Sequence, residues 1–138
     1  GIIIDPYNEI DASRSDNKRE DEHIRDLISQ CKQFCRRHDV AMWMVAHPAK
    51  MQRNQDGVIP VPTLYDVSGS AHWNNMADVG LVVYRDFETD ETQVITRKIR
   101  EQGLYGQIGQ CFFRYNTSKR IYEQLPDNMV APHWTDDD

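Results

Sequence analysis

Three short runs of apolar residues set most of what this chain can become. Residues 1–4 read Gly-Ile-Ile-Ile and stop at Asp5; residues 40–46 read Val-Ala-Met-Trp-Met-Val-Ala and stop at His47-Pro48; residues 79–84 read Val-Gly-Leu-Val-Val-Tyr and stop at Arg85. Each run is short, and its apolar residues are continuous instead of alternating. That is the pattern of a strand buried on both faces in a parallel sheet. The first two runs also deliver a polar residue to the strand end. Open parallel sheets bind ligands outside the carboxyl ends of their strands, so polar residues at successive ends converge on one place.

The segments between the runs complete the pattern. Residues 11–22 are polar and charged, suiting a surface loop that runs into a helix beginning near Asn17. From there Ile24, Leu27, Ile28, Cys31, Phe34 and Cys35 recur three and four apart, with Arg25, Asp26, Gln30, Lys32, Arg36 and Arg37 on the other side, which is the stripe of an amphipathic helix. Residues 49–62, with Gly57, Pro60 and Pro62 among scattered polar residues, form a long loop of the kind that carries function or moves. Residues 68–77 fit a short helix capped by Ser68 or Asp66. Strand, helix, strand, helix, strand is parallel α/β grammar. Beyond Arg85, the segments 93–99, 103–109, 110–115 and 120–122 are expected as antiparallel hairpins appended to the sheet. The tail from Pro126 has no periodicity, ends in Asp136, Asp137 and Asp138, and reads as disordered. The expected organisation is one domain over residues 1–125 followed by an acidic tail over 126–138.

Composition narrows the function. At 138 residues the chain can bury one core. A net charge of -6 argues against a broadly electropositive nucleic-acid binder, so any contact with DNA must be local. Three cysteines, an odd number, do not suggest a disulfide framework, and a reducing cytoplasm fits best. No apolar run is long enough to span a bilayer. The first residue is Gly1, and the chain enters an apolar run at once, which reads as a cut inside a larger protein.

Four apolar residues ending in Asp5 form a Walker B-like element, in which a buried strand delivers a carboxylate that holds a magnesium-bound water. By itself the element fits an ordinary helix cap as well, just as His47 alone fits a turn histidine satisfied by backbone. Read together with each other and with residues 66–78, they form a more specific constellation. Cys31, Cys35 and His38 could place three soft ligands along one helix, but metal sites draw on more than one element; core cysteines are expected, and Trp43 is expected inside a buried strand.

The sequence resembles the replicative hexameric helicases of the bacterial DnaB type, and more closely the phage primase-helicases and their mitochondrial relative Twinkle. The matching stretches are I-I-I-D-P-Y-N at 2–8, W-M-V-A-H-P-A-K at 43–50, L-Y-D-V-S-G-S-A-H-W-N-N-M-A-D at 64–78, V-V-Y-R-D at 82–86 and K-I-R at 98–100. They cover roughly residues 1–123. The resemblance implies a partial RecA-like P-loop NTPase core: a mostly parallel sheet with flanking helices and C-terminal antiparallel hairpins, lacking the Walker A strand. It implies Asp5 as the Walker B carboxylate on Mg2+, through water, and His47 at the position that senses the γ-phosphate of ATP. Lys98 and Arg100 match the K-x-R motif whose arginine reaches the neighbouring subunit's ATP, where positive charge stabilises phosphoryl transfer. Arg85 and Tyr115 fall where the family grips the two faces of adenine, and Lys50, Arg53 and Asn54 lie on the loop that touches single-stranded DNA.

The resemblance thus implies a parent protein that is an ATP-dependent DNA helicase or primase-helicase, working as a homo-oligomer in a hexameric ring. The 138 residues contain no G-x-x-x-x-G-K-[ST], so the stretch alone is expected not to hydrolyse ATP. In the family's sheet the phosphate-binding strand lies between the strands matching 40–46 and 79–84. Without it, residues 79–84 are expected to pair directly with 40–46, or to have their edge covered by another chain. Two other readings stay open: another RecA-like ATPase of recombinase or switch type, and a non-enzymatic α/β interaction domain.

Overall fold

The computed structural model describes residues 1–10, 19–55, 57–67 and 71–126. The helix start near Asn17, the cap at Ser68 and the acidic tail beyond Pro126 lie outside these residues. The architecture is α/β, with a parallel two-stranded sheet and an antiparallel four-stranded sheet. The chain divides into two compact units, Gly1–Asp78 and Val79–Asp138.

In the first unit β1 (Ile2–Ile4) and β2 (Met42–Met44) run parallel, with Ile2 opposite Met42, Ile3 opposite Trp43 and Ile4 opposite Met44. Helix α1 (Glu20–His38) connects them. Its first turn carries Glu20, Asp21 and Glu22 and its last Arg36, Arg37 and His38, a charge order that complements the helix dipole. It stops at Asp39, which adopts the left-handed conformation (φ 50°) and donates its amide to the Cys35 carbonyl. Of the apolar stripe, Ile24 and Ile28 are buried: Ile24 is 1% exposed and, with Ile28 and Trp73 of helix α2 (His72–Met76), forms the core, packed around by Tyr7, Met44, Val67 and Met76. Burying one such aliphatic side chain is worth about 1.5–3 kcal/mol, so this cluster fixes the sheet end against both helices.

Several expectations are corrected here. Strands β1 and β2 are not covered on both faces: Ile3 is 73% exposed and Trp43 54% exposed, because the core cluster meets the alternate residues, Met44 among them. Trp43 therefore does not lie in a buried strand. Cys31 and Cys35 are half-buried and outside the core, while Phe34 is exposed and lies against His38 with ring centroids 4.3 Å apart. The short helix begins at His72, and Asp66 serves a different cap, described below.

The second unit is a meander, β3 (Val79–Asp86), β4 (Glu91–Ile99), β5 (Gly109–Asn116) and β6 (Ile121–Gln124), in spatial order β3-β4-β5-β6, every pair antiparallel. The third apolar run thus joins the antiparallel sheet, not a parallel one, and pairs with β4 instead of residues 40–46. Among the described residues only the two-stranded sheet is parallel, so the mostly parallel sheet expected from the sequence is not what forms. The reason is local: a four-residue turn separates β3 from a partner, and closing a short loop is entropically cheap. The two hairpins are built alike. Asp86 and Asn116 accept the Glu88 and Lys119 amides at 2.8 and 3.0 Å, and each turn ends in a left-handed residue, Asp90 (φ 57°) or Arg120 (φ 56°). Between β4 and β5, where a strand over 103–109 was expected, helix α3 (Gln102–Tyr105) forms instead. Val82, Ile95 and Phe112 are the unit's buried apolar residues.

Candidate functional site

The parallel register decides where the first two candidate residues go. Ile4 is opposite Met44, the Val45 amide donates to the Ile4 carbonyl at 2.8 Å, and the Tyr7 amide donates to the Val45 carbonyl at 2.9 Å. Asp5 therefore leaves β1 beside Val45, and His47 follows two residues on, at the same carboxyl end of the sheet. Both are exposed. Tyr7 rests edge-on against Trp73, ring centroids 4.6 Å apart, which ties this end to the core. Burial pushes the Tyr7 phenol above its ordinary value, and the Glu20 charge adds to the effect. Among the described residues no group of three His, Cys, Asp or Glu side chains is placed to hold a metal ion. A single exposed carboxylate fits a Mg2+ ion that keeps its waters and leans on phosphate oxygens, and does not fit a protein cage.

The loop over residues 49–62 starts from this same end and is tied at both stems. Pro48 bridges Val67, and the Ala49 amide donates to the Asp66 carbonyl at 2.6 Å. At the other stem the Asp66 carboxylate accepts from the Thr63 amide at 2.6 Å and from the Thr63 hydroxyl at 2.8 Å, while the Tyr65 amide donates to the Thr63 hydroxyl. This reciprocal capping box opens the turn Leu64–Asp66. At the tip, Asn54 and Val58 bond both ways: the Asn54 amide donates to the Val58 carbonyl, and the Val58 amide to the Asn54 Oδ1, each at 2.8 Å. Gly57 supplies the left-handed conformation the tip needs (φ 78°). The Arg53 guanidinium donates to the Gly57 carbonyl. Of the three residues read as touching DNA, Arg53 and Asn54 therefore also build the loop; all three, Lys50 included, are exposed.

In the second unit, Lys98 near the end of β4 and Arg100 just beyond it lie next to an irregularity. Leu81 faces Thr96 but Gly80 faces Lys98, so Arg97 is an extra residue that breaks the period-two alternation. Such bulges re-aim the side chains that follow them. Arg100 is exposed just past the strand, and Lys98 is half-buried within it.

Arg85, Thr92, Phe113 and Gln124 form one cross-strand row, and Tyr115, directly opposite Tyr122, lies two residues further along. Residues two apart on a strand share a face, so Arg85 and Tyr115 look out from the same side of the sheet. Arg85 is held at 2.5 Å by Asp90 and lies 5.5 Å from the Phe87 ring centroid. Hydrogen bonding and charge from Asp90 push the guanidinium further above its ordinary range, with a smaller push from Tyr122. The sequence reading passed over Tyr122. Its signal was there: the four-residue turn after Asn116 sets Tyr122 opposite Tyr115.

No family model matches the chain. Over 137 residues, 96% of its length, it is 36% identical to the Twinkle homolog protein, chloroplastic/mitochondrial, of Arabidopsis thaliana, and it spans 19% of that protein. No described helix is long and apolar enough to cross a membrane. At this identity across nearly all of its residues, the chain is similar to a segment of a Twinkle homolog about one fifth as long as that protein.

Proposed function

We propose that this chain is the C-terminal half of the RecA-like ATPase core of a DnaB/Twinkle-type replicative DNA helicase. The protein that carries it couples ATP hydrolysis at subunit interfaces to movement along single-stranded DNA. One observation carries the reading: the parallel register of β1 and β2 sets Asp5 and His47 at one sheet end, and the loop over 49–62 leaves from that end. A phosphate sensor and a DNA-contacting loop are then neighbours in sequence and space. The 36% identity to a Twinkle homolog supports the same reading.

In this reading Asp5 holds Mg2+ through water, and His47 stands at the γ-phosphate. Lys98 and Arg100 act on the ATP of the neighbouring subunit in a hexameric ring, Arg85 and Tyr115 grip the adenine, and Lys50, Arg53 and Asn54 touch the DNA. Mg2+ and the cationic side chains supply the positive charge that phosphoryl transfer requires. The free thiols of Cys31, Cys35 and Cys111 suit a reducing compartment such as the cytoplasm. Hydrolysis is assigned to the full-length protein, since these 138 residues hold no phosphate-binding loop motif.

The test is hydrolysis by the full-length protein carrying Asp5→Asn or His47→Ala. Each substitution is expected to lower DNA-stimulated ATP hydrolysis by about 100-fold or more, with nucleotide still bound by His47→Ala. Wild-type rates in both variants refute the reading.

A further inference from the structure

We infer that Tyr122 is a further base-contacting residue of the nucleotide site, its exposed ring, packed beside Tyr115, adding a flat surface against which a purine base packs. The inference rests on the reading of Arg85 and Tyr115 given above. Four observations lead to it. Tyr122 and Tyr115 are cross-strand partners with ring centroids 5.0 Å apart and ring planes tilted by 54°, a favourable arrangement for two aromatic rings. Both stand on the sheet face that carries Arg85. Tyr115 is half-buried, whereas Tyr122 is 56% exposed, so Tyr122 has the larger ring area to give a ligand. Finally, Arg85 is itself fixed on that face, its guanidinium held at 2.5 Å by Asp90.

The chemistry of the occupant follows from the pair. A guanidinium plane fixed by a carboxylate and an exposed phenol ring both favour the face of a π-system. Nothing in that pair demands a hydrogen-bonding edge, so it grips a ring by area and favours purines over the smaller pyrimidines.

The experiment is steady-state ATP hydrolysis by the full-length protein. Tyr122→Ala is expected to raise KM for ATP about three- to tenfold at unchanged kcat, and to narrow the preference for ATP over UTP. Tyr122→Phe, which keeps the ring and drops the hydroxyl, is expected to restore both. Should Tyr122→Ala lower Tm, Tyr122→Leu, with apolar bulk but no flat face, is held to the same outcome. An unchanged KM, a fall in kcat alone, or a raised KM that Tyr122→Phe fails to rescue overturns the inference. Arg85→Ala and Tyr115→Ala separate the two levels. If they raise KM and Tyr122→Ala does not, Tyr122 is excluded and the nucleotide reading stands; if none of the three does, that reading falls and the inference with it.

Discussion

Lys32 of α1 reaches across to the end of α2, where its Nζ lies 2.6 Å from Asp78 Oδ1 and 3.0 Å from the Met76 carbonyl oxygen. One ammonium thus serves both the carbonyl of the last residue of a short helix and the carboxylate that follows it. The helix stripe places Lys32 on the side away from the core, which is right, but a long side chain can still bridge to a neighbouring element. With side-chain exposures of 30% and 54%, the ion pair is solvent-screened and modest.

Lys32→Met is accordingly expected to destabilise α2 by about 1 kcal/mol, seen as roughly fivefold faster amide hydrogen exchange over residues 72–78. Added salt should shrink the difference without abolishing it, since the Met76 carbonyl bond joins a charge to a dipole. Unchanged exchange over 72–78 would show that the contact contributes nothing to α2.

Asp66 ties both stems of the loop over 49–62, its backbone carbonyl taking the Ala49 amide and its carboxylate taking Thr63. Asp66→Ala removes the carboxylate half and keeps the backbone half. The Thr63 side of the loop should loosen by about 0.5–2 kcal/mol, as for a lost helix cap, and the Ala49 side should hold. Limited proteolysis is expected to move to the segment after Val58. Cleavage shifted equally to both stems would mean that the two ties are not independent.

The sequence shows α1 well because a periodic apolar stripe and its core contacts agree at Ile24 and Ile28. It also sets the end of β1, where Asp5 interrupts a continuous apolar run, whereas β2 is only Met42–Met44 and stops short of the expected end at Ala46. It does not show how many faces of those runs are covered: Ile3 and Trp43 have the composition of buried residues and are exposed. Nor does an apolar run specify pairing direction, which is why residues 79–84 fit a parallel strand on paper and form an antiparallel hairpin in the fold. The bulge at Arg97 is invisible for a related reason, since it is a property of two strands in register and not of one. Of the candidate site, the sequence names single residues and not what surrounds them in the fold: Asp90 beside Arg85, Tyr122 opposite Tyr115, and Asp66 at the stems of the loop.

Tyr7 carries a pH dependence whose sign follows from its surroundings. Burial against Trp73 and, secondarily, the Glu20 charge disfavour the phenolate, so the folded-state pKa lies above the ordinary 10.0. A group raised in the folded state contributes stability that is fully present below its unfolded value and lost as pH rises through the folded one. The loss therefore falls in the alkaline range, starting near the ordinary phenol value. NMR of ring-labelled tyrosine should show Tyr7 deprotonating above the ordinary phenol value of 10.0. Tyr7→Phe should remove its share of the alkaline loss of stability. Deprotonation of Tyr7 at or below the ordinary phenol value would refute the assignment.

The loop over 49–62 carries two cations, Lys50 and Arg53, on a chain whose net charge is -6. If this loop holds the DNA backbone, it must do so with few phosphate contacts, and the salt dependence of binding counts them. Each phosphate neutralised on a single strand contributes about 0.7 to the slope of log K against log salt. Lys50→Ala with Arg53→Ala in the full-length protein should lower that slope by up to about 1.4 and weaken binding most at low salt. Arg53 also donates to the Gly57 carbonyl, so Arg53→Ala alone tests whether its role is contact or loop architecture. Loss of affinity at an unchanged slope marks architecture, whereas a lowered slope marks phosphate contact. If the double variant changes neither affinity nor slope, the DNA site lies on another surface, and the loop's place beside His47 needs a different explanation.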